Sequence, residues 1–397
     1  MKAINHFFDH RIHPKIRLLY WHLPAFQAFG STGLVLAIGT TIALVVFLGL
    51  SPWIMIGLIC LSMLTFLGLA MVTKIMTGEE QLIYYHHEIA IMIVAALFLK
   101  IICQPVLPYL DITVLGIGAF LVCGRIGCLM VGCCHGRPHQ WGVCYCHEHV
   151  DAGFTPYYEG VRLFPIQAVE SVWVLFIVAT GSILVLTTRL PGEALAWYVV
   201  NYDIGRFIFE FARGDPERPY YGGFSQGQWI SVFLMGAVAV GEVAGMLPFH
   251  QWHIFTTAGI VLTMICLALA RQFRGKGRHQ LLNPRHVREI AEAIALISSR
   301  VCERTVIAGG YAMPKEIPLG FTSLGIRIST GKIKDANRLI EHYALSSQNG
   351  TMGEEAARSL ADLIIQMKQH SSVNRLVDGG NGVFHLLIHP FGAGDQG

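Results

Sequence analysis

Hydrophobic residues occupy the first two thirds of the chain in eight long blocks, with polar residues gathered in the breaks between them. The blocks lie near Ser31–Leu50, Pro52–Val72, Ile89–Val106, Ile112–Met130, Ile166–Thr187, Glu193–Phe211, Gln228–Leu247 and Ile254–Ala270. A bilayer hydrocarbon core is about 30 Å thick and takes about 20 helical residues to cross. Backbone groups in lipid must bond within their own segment, so each block is predicted as a helix. Lys100 and Pro105 blur the end of the third block. The expected count is seven or eight crossings, with the final pair around Pro248 the place where one fails if there are seven. From Arg271 the pattern changes. Pro284 to Arg304 and Gly353 to Gln369 read as amphipathic helices, while Ser323–Ser329 and Val383–His389 read as strands, the latter stopped by Pro390. The predicted architecture is an all-α polytopic membrane protein with a small α+β soluble C-terminal domain. Its parts are a polar N-terminal segment at 1–28, a transmembrane domain at 29–270 and the soluble domain at 271–397. The first apolar block is too long for a signal-peptide core, so no cleavable leader is expected.

Composition agrees with the membrane reading. Apolar residues make up 53% of the chain and charged ones 14%, and the mean hydropathy is +0.51. Of the 55 charged residues, 27 fall from Arg271 onward, which sharpens the boundary between membrane and soluble parts. Nothing points to a nucleic-acid partner.

Against that background, the charges inside the apolar blocks stand out. Tyr202, Arg206 and Glu210 are spaced four apart and share one helix face. An ionisable group at bilayer depth costs about 2.5–3.5 kcal/mol on insertion scales and usually faces a partner, a cavity or a substrate. A structural Arg206–Glu210 pair is the plain alternative. A second arginine, Arg125, sits at the end of another block in Gly124-Arg125-Ile126-Gly127-Cys128. Alone it reads as an arginine reaching back to the headgroups. Together, two arginines on separate helices suit one anion, because the guanidinium stays charged and pairs with phosphate oxygens two at a time.

Between the fourth and fifth blocks runs a Cys-, His-, Gly- and Pro-rich loop, Val131 to Phe164, long enough to form a small cap. Arg213 to Phe224 forms a second loop. Six of the ten cysteines fall between Cys123 and Cys146. Cys133-Cys134-His135 and Cys144-x-Cys146-His147 offer soft ligands for zinc, but their spacing is not that of a zinc knuckle. Thiols packed in a tight turn are the simpler reading, so no metal site and no cofactor are assigned. Disulfides would follow if the loop faced an oxidising compartment.

Taken together, these motifs resemble the prolipoprotein diacylglyceryl transferase family over roughly Phe29 to Leu247. The Gly-Arg-Ile-Gly element with its glycine-rich loop is similar to Gly124 to Gly136. The Pro-x-Gln-x-x-Glu element is similar to Pro165, Gln167 and Glu170. The Tyr-x3-Arg-x3-Glu helix and the Gly-Gln start of the next match Tyr202, Arg206, Glu210 and Gly227-Gln228. His86-His87-Glu88 is an approximate counterpart of a His-Gly-Gly element. Departures occur at Cys128, Val131 and Cys133, where the family has asparagines and a glutamate, and at Phe164 and Phe29.

The resemblance implies transfer of a diacylglyceryl group from phosphatidylglycerol, a membrane lipid, to the lipobox cysteine of a prolipoprotein. It implies a multi-pass protein of the bacterial inner membrane. Arg125 and Arg206 would stabilise the leaving phosphate, His86 or His87 would take the thiol proton, and Tyr202 would donate to phosphate. Gly124, Gly127, Gly132, Arg137, Gln167, Glu170 and Glu210 would line or support the substrate site. The departures motivate one alternative, a transferase of the same fold with another acceptor. A non-enzymatic metal or redox sensor built on the Cys/His loop is the other. Orientation divides the signals. The basic residues of the even-numbered connections and of both ends favour cytoplasmic termini, whereas the resemblance places the long loop on the exoplasmic side, which is the expectation adopted.

Overall fold

The computed structural model describes residues 2–18, 21–78, 83–273, 280–299, 318–335, 338–368 and 374–388. After α1 (Lys2–Arg11) and a hairpin of β1 (Lys15–Leu18) and β2 (Trp21–Pro24), the chain enters the bundle. Its helices are α2 (Ala25–Leu48), α3 (Pro52–Thr77), α4 (Tyr84–Ile101), α5 (Val106–Val131), α7 (Ile166–Thr187), α8 (Glu193–Phe209), α9 (Gln226–Val243) and α10 (Gln251–Phe273). All eight apolar blocks are therefore helical. Six are long and apolar enough to cross a membrane. The other two, α8 and α9, have 17 and 18 residues and carry more polar groups. Large apolar residues such as Phe47, Trp53, Phe233 and Phe255 stay exposed on the outer faces, as a surface that meets lipid requires.

Several helices start earlier than expected, α2 at Ala25 rather than Ser31 and α10 at Gln251 rather than Ile254, and for two others the structure shows the physical reason. The fourth block begins at Val106, before the apolar run proper, because Pro105 leads straight into the first turn, where proline is tolerated. Asp111, which breaks that run's hydropathy, accepts from the backbone N–H groups of Gly192 and Leu195, both at 2.7 Å. It thus caps the start of α8 from a neighbouring helix. The third block begins at Tyr84 rather than Ile89, because Tyr84 and Tyr85 bond across the bundle, to Tyr198 at 2.8 Å and to Asp203 at 2.6 Å.

The loop after α5 is a cap, as its length predicts. It holds β3 (Pro138–Cys144), α6 (His147–Asp151), a 3-10 turn (Pro156–Tyr158) and β4 (Arg162–Leu163). Gly132 ends α5 at a φ of 82°, and a Cβ there would meet the Phe154 ring at 2.5 Å. The second loop folds into a hairpin of β5 (Tyr220–Tyr221) and β6 (Phe224–Ser225).

Beyond the bundle come α11 (Pro284–Ser299), β7 (Leu319–Phe321), β8 (Ile326–Asp335), β9 (Arg338–Ser347), α12 (Glu354–Lys368), β10 (Asn374–Asp378) and β11 (Phe384–Ile388). The five strands form one antiparallel sheet in the order β10-β11-β9-β8-β7. The expected ends at Arg304, Gln369 and His389–Pro390 lie outside the described residues. This domain is not an independent appendage. Its Ile290, Leu360 and Leu345 share one apolar core with Val143, Tyr145 and Tyr158 of the cap. Arg137 of the cap donates to the Leu282 carbonyl at 3.0 Å, and Arg285 donates to the Pro216 carbonyl at 3.2 Å. N-terminal α1 joins the same end of the bundle, with Asp9 accepting from Arg162 at 2.9 Å.

Candidate functional site

Three helices bring their charges to one point beneath the cap. Arg125 lies on α5, Glu170 on α7 and Arg206 on α8, all at least 90% buried. Glu170 is the hub: its Oε2 is 2.7 Å from Arg125 Nε, and its Oε1 is 2.7 Å from Arg206 Nη1 and 3.5 Å from Arg213 Nη1. The other Nη of Arg206 holds Glu210 Oε1 at 2.7 Å. Arg218 pairs with Glu210 as well, and also with Asp215, at 2.7 Å. Asp215 in turn accepts from Arg213 at 3.1 Å. Four guanidinium groups thus meet three carboxylates, leaving one net positive charge in a buried site. Burial works against the charge on Arg213, but Asp215, Cys134 and Glu170 outweigh it and hold the group firmly ionised.

The pairing also separates the arginines by role. Both Nη groups of Arg206 are committed to carboxylates. Arg125 pairs with Glu170 through Nε, and no ion pair or hydrogen bond is found for its two Nη groups among the described residues. Arg125 is therefore the guanidinium with its fork free for an anion. Arg206 joins α7 to the end of α8.

Local sequence accounts for the surrounding frame. Ser225 and Gln228 form a reciprocal capping box at the start of α9, and Gln228 Nε2 also donates to the Phe207 carbonyl at 3.2 Å. A Cβ at Gly227 would come within 3.2 Å of Glu210 Oε1, so glycine lets α9 begin against the ion pair. The cap is stitched to the end of α8 by a bridge between Gly136 and Arg213. Arg137 donates from its backbone to the Ala212 carbonyl at 3.0 Å and from Nε to the Arg213 carbonyl at 3.2 Å.

The other expected residues fall around this centre. Gln167 Nε2 bonds the Cys133 carbonyl at 2.9 Å and fixes the loop. Tyr202 lies one turn before Arg206, its ring stacked on Tyr198 and tilted against Tyr84. Gly124 has open space where a side chain would be, whereas Gly127 packs against Phe26 and Phe29 of α2. His86 and His87 lie in the first turn of α4, and neither is ion-paired to the cluster. His87 is buried against the Phe66 ring, at 4.6 Å, with Nδ1 on the Ile83 carbonyl at 3.0 Å. Its Nε2 has no partner among the described residues. Arg213, Asp215 and Arg218, which sequence alone put on the same side as the site without assigning them to it, join the cluster. Their signal was the dense charge run directly after the Tyr202–Glu210 face.

The cysteines do not assemble as the zinc alternative supposed. Cys128, Cys133 and Cys134 place their sulfurs within 4.8 Å of one another. Cys146 instead contacts His149, at 3.3 Å, and His147 lies on the surface near Asp151 and Glu159. The thiols of Cys128 and Cys133 lower the pKa of Cys134 by hydrogen bonding, aided by Arg213 and Arg125, while burial opposes them. Cys133 is pushed up, by the same bonds and by burial.

Part of the chain, including these residues, is similar in sequence to known proteins. Residues 82–244 match the family model of prolipoprotein diacylglyceryl transferase. The match contains the arginine cluster and every motif on which the resemblance rested, apart from the block around Phe29. The chain is also 33% identical over 136 residues to phosphatidylglycerol–prolipoprotein diacylglyceryl transferase 2 of Clostridium perfringens, covering 33% of this chain and 49% of the relative. The similarly named protein of Clostridium tetani is 32% identical over 130 residues, 32% of this chain and 49% of its own length. A Dehalococcoides mccartyi relative is 31% identical over 131 residues, 33% of this chain and 48% of its own length. The chain thus spans about half the length of the curated relatives it matches. The transferase-like segment coincides with α4 to α9.

Proposed function

We propose that the protein transfers the diacylglyceryl group of phosphatidylglycerol to the cysteine thiol of a prolipoprotein. The observation that carries this reading is the buried Arg125–Glu170–Arg206 junction, with the Arg125 fork free. In the reaction the cysteine sulfur attacks the glycerol carbon that bears the phosphate ester. A C–S bond forms as the C–O bond breaks, and the electron pair leaves with glycerol phosphate. The departing group gains a negative charge, and fixed cations in a water-poor site stabilise that gain more than water does. Arg125 supplies the paired contact. Arg206 acts as a positioning residue, holding Glu170 and through it Arg125.

The thiol proton goes to His87 rather than His86. A carbonyl can only accept, so the Nδ1 of His87 carries its hydrogen and Nε2 keeps a lone pair with no other partner. The donor is a lipid of the bacterial inner membrane, and the capped end of the bundle faces the exoplasmic side, where prolipoproteins arrive. Purified protein incubated with labelled phosphatidylglycerol and a lipobox peptide tests the reading directly. A peptide thioether is the expected product. Labelled glycerol phosphate released with no peptide adduct would point to a different acceptor, a possibility raised by the thiols at Cys128 and Cys133. A reporter at Glu159 found in the cytoplasm would overturn the prolipoprotein acceptor.

A further inference from the structure

At the opposite end of the bundle lies a second buried polar cluster. Glu193 opens α8, Glu242 stands near the end of α9, and His250 and His253 flank the start of α10. Glu193 is 13 residues from Arg206 on one helix, a separation of about 20 Å. Ligand-capable atoms of Glu242, His250 and His253 all lie within 4.8 Å of one another. His250 Nε2 is 3.5 Å from Glu193 Oε1, and His253 Nδ1 contacts Glu242 Oε1. Thr188 donates to the other oxygen of Glu193. No lysine or arginine pairs with either carboxylate among the described residues.

Several details of this cluster are those of a metal site. Glu242 and His253 are each 2% exposed, and Glu242 Oε2 and His253 Nε2 have no partner among the described residues. Such groups are costly to bury unpaired. His250 Nδ1 bonds the Pro248 carbonyl at 3.1 Å. That carbonyl can only accept, so Nδ1 carries a hydrogen, and in the neutral imidazole Nε2 turns its lone pair toward Glu193. Such a pair is held together only by a proton or a metal ion between nitrogen and carboxylate. A histidine oriented through its far nitrogen by a backbone carbonyl is also the usual arrangement behind a metal ligand. Two imidazoles with two carboxylates suit a borderline divalent ion such as zinc.

We propose that Glu242, His250 and His253, with Glu193 beside them, bind a divalent transition-metal ion that fastens α10 to α8 and α9. Helix α10 is largely exposed on its apolar surface, with 11% of it buried by the rest of the chain, as for α3, so contacts at its start weigh heavily in how it is held.

The test uses full-length protein in detergent, stripped with a chelator and titrated with zinc chloride, in a Cys128→Ser, Cys133→Ser, Cys134→Ser background so that the thiols cannot contribute. Calorimetry should give one equivalent bound, and zinc at a hundredfold excess over Kd should raise the unfolding temperature. Glu242→Gln and His250→Ala should each weaken binding at least tenfold and cut the thermal shift at that zinc concentration to about half or less. Should the buried Glu242→Gln variant fail to fold, His250→Ala, at a partly exposed position, carries the test alone. Absence of zinc stabilisation in the starting protein, or stabilisation unchanged in His250→Ala, would overturn the proposal. So would stabilisation by acid alone, the mark of a protonated histidine pair.

Discussion

Replacing Arg125 by lysine puts the proposed division of labour between the arginines to the sharpest test. Arginine at this position holds Glu170 through Nε at 2.7 Å and keeps two Nη groups for the leaving phosphate. A lysine has one compact ammonium, so it serves the carboxylate or the phosphate but cannot reproduce both. The loss is about one charge-assisted hydrogen bond in the transition state, about 1.5–3 kcal/mol. At 1.36 kcal/mol per decade, kcat/KM should fall about 10- to 150-fold. Stability should change little by comparison, because Glu170 keeps Arg206 at 2.7 Å and Arg213 at 3.5 Å. The assay is lipid transfer to a lipobox peptide in proteoliposomes, run beside thermal unfolding of the same preparations. If Arg125→Lys turned over within about threefold of the parent and unfolded at the same temperature, the fork would have no role at the phosphate.

Other residues give distinct outcomes. Glu170→Gln leaves three guanidinium groups around a neutral amide and should destabilise the fold by about 3–5 kcal/mol; an unaltered melting temperature in detergent would show that the cluster tolerates its own charge. His135 and His149 of the cap are buried, and burial lowers the pKa of each below the ordinary 6.5. The unfolded chain then takes up the proton first, so the stability present above about pH 6.5 should be lost as pH falls through the folded values. Melting curves from pH 8 to 5 should show this slope, and it should flatten in His149→Gln. Cys134, held toward the thiolate by its two neighbouring thiols and by Arg213, should react with iodoacetamide near neutral pH before Cys133 does; mass spectrometry showing Cys133 labelled first would contradict that ordering.

The sequence made the bundle legible because lipid imposes a single requirement, about 20 apolar residues per crossing, which all eight helical blocks approach. It made the arginine site half legible. Arg206 and Glu210 were visible as a four-residue spacing within one helix, but the partner that unites them with Arg125, Glu170, had been given only a supporting place at the site. Which of three arginines a carboxylate contacts depends on the crossing of α5, α7 and α8, and no periodicity encodes that. Asp111 shows the same gap: it lies just before the fourth apolar block as expected from hydropathy, and its capping of a helix more than eighty residues away is invisible to that pattern. In the soluble domain, β8 and β11 announced themselves by alternation. The ten-residue β9 did not, since Arg338, Glu341 and His342 blur its alternation, and β10 is only five residues long.

The shared core of cap and C-terminal domain also sets a timetable for biosynthesis. Val143 and Tyr145 leave the ribosome in the middle of the chain, yet α12, the helix that packs against β3, runs to Lys368. At about 5–20 residues per second, that gap lasts roughly 10 to 50 s. Throughout that interval four more bundle helices, α7 to α10, emerge while the apolar underside of the cap lies open. The roof over the arginine cluster is thus encoded early and finished last, and a nascent chain halted after α10 would hold its helices in the bilayer with the cap still uncovered.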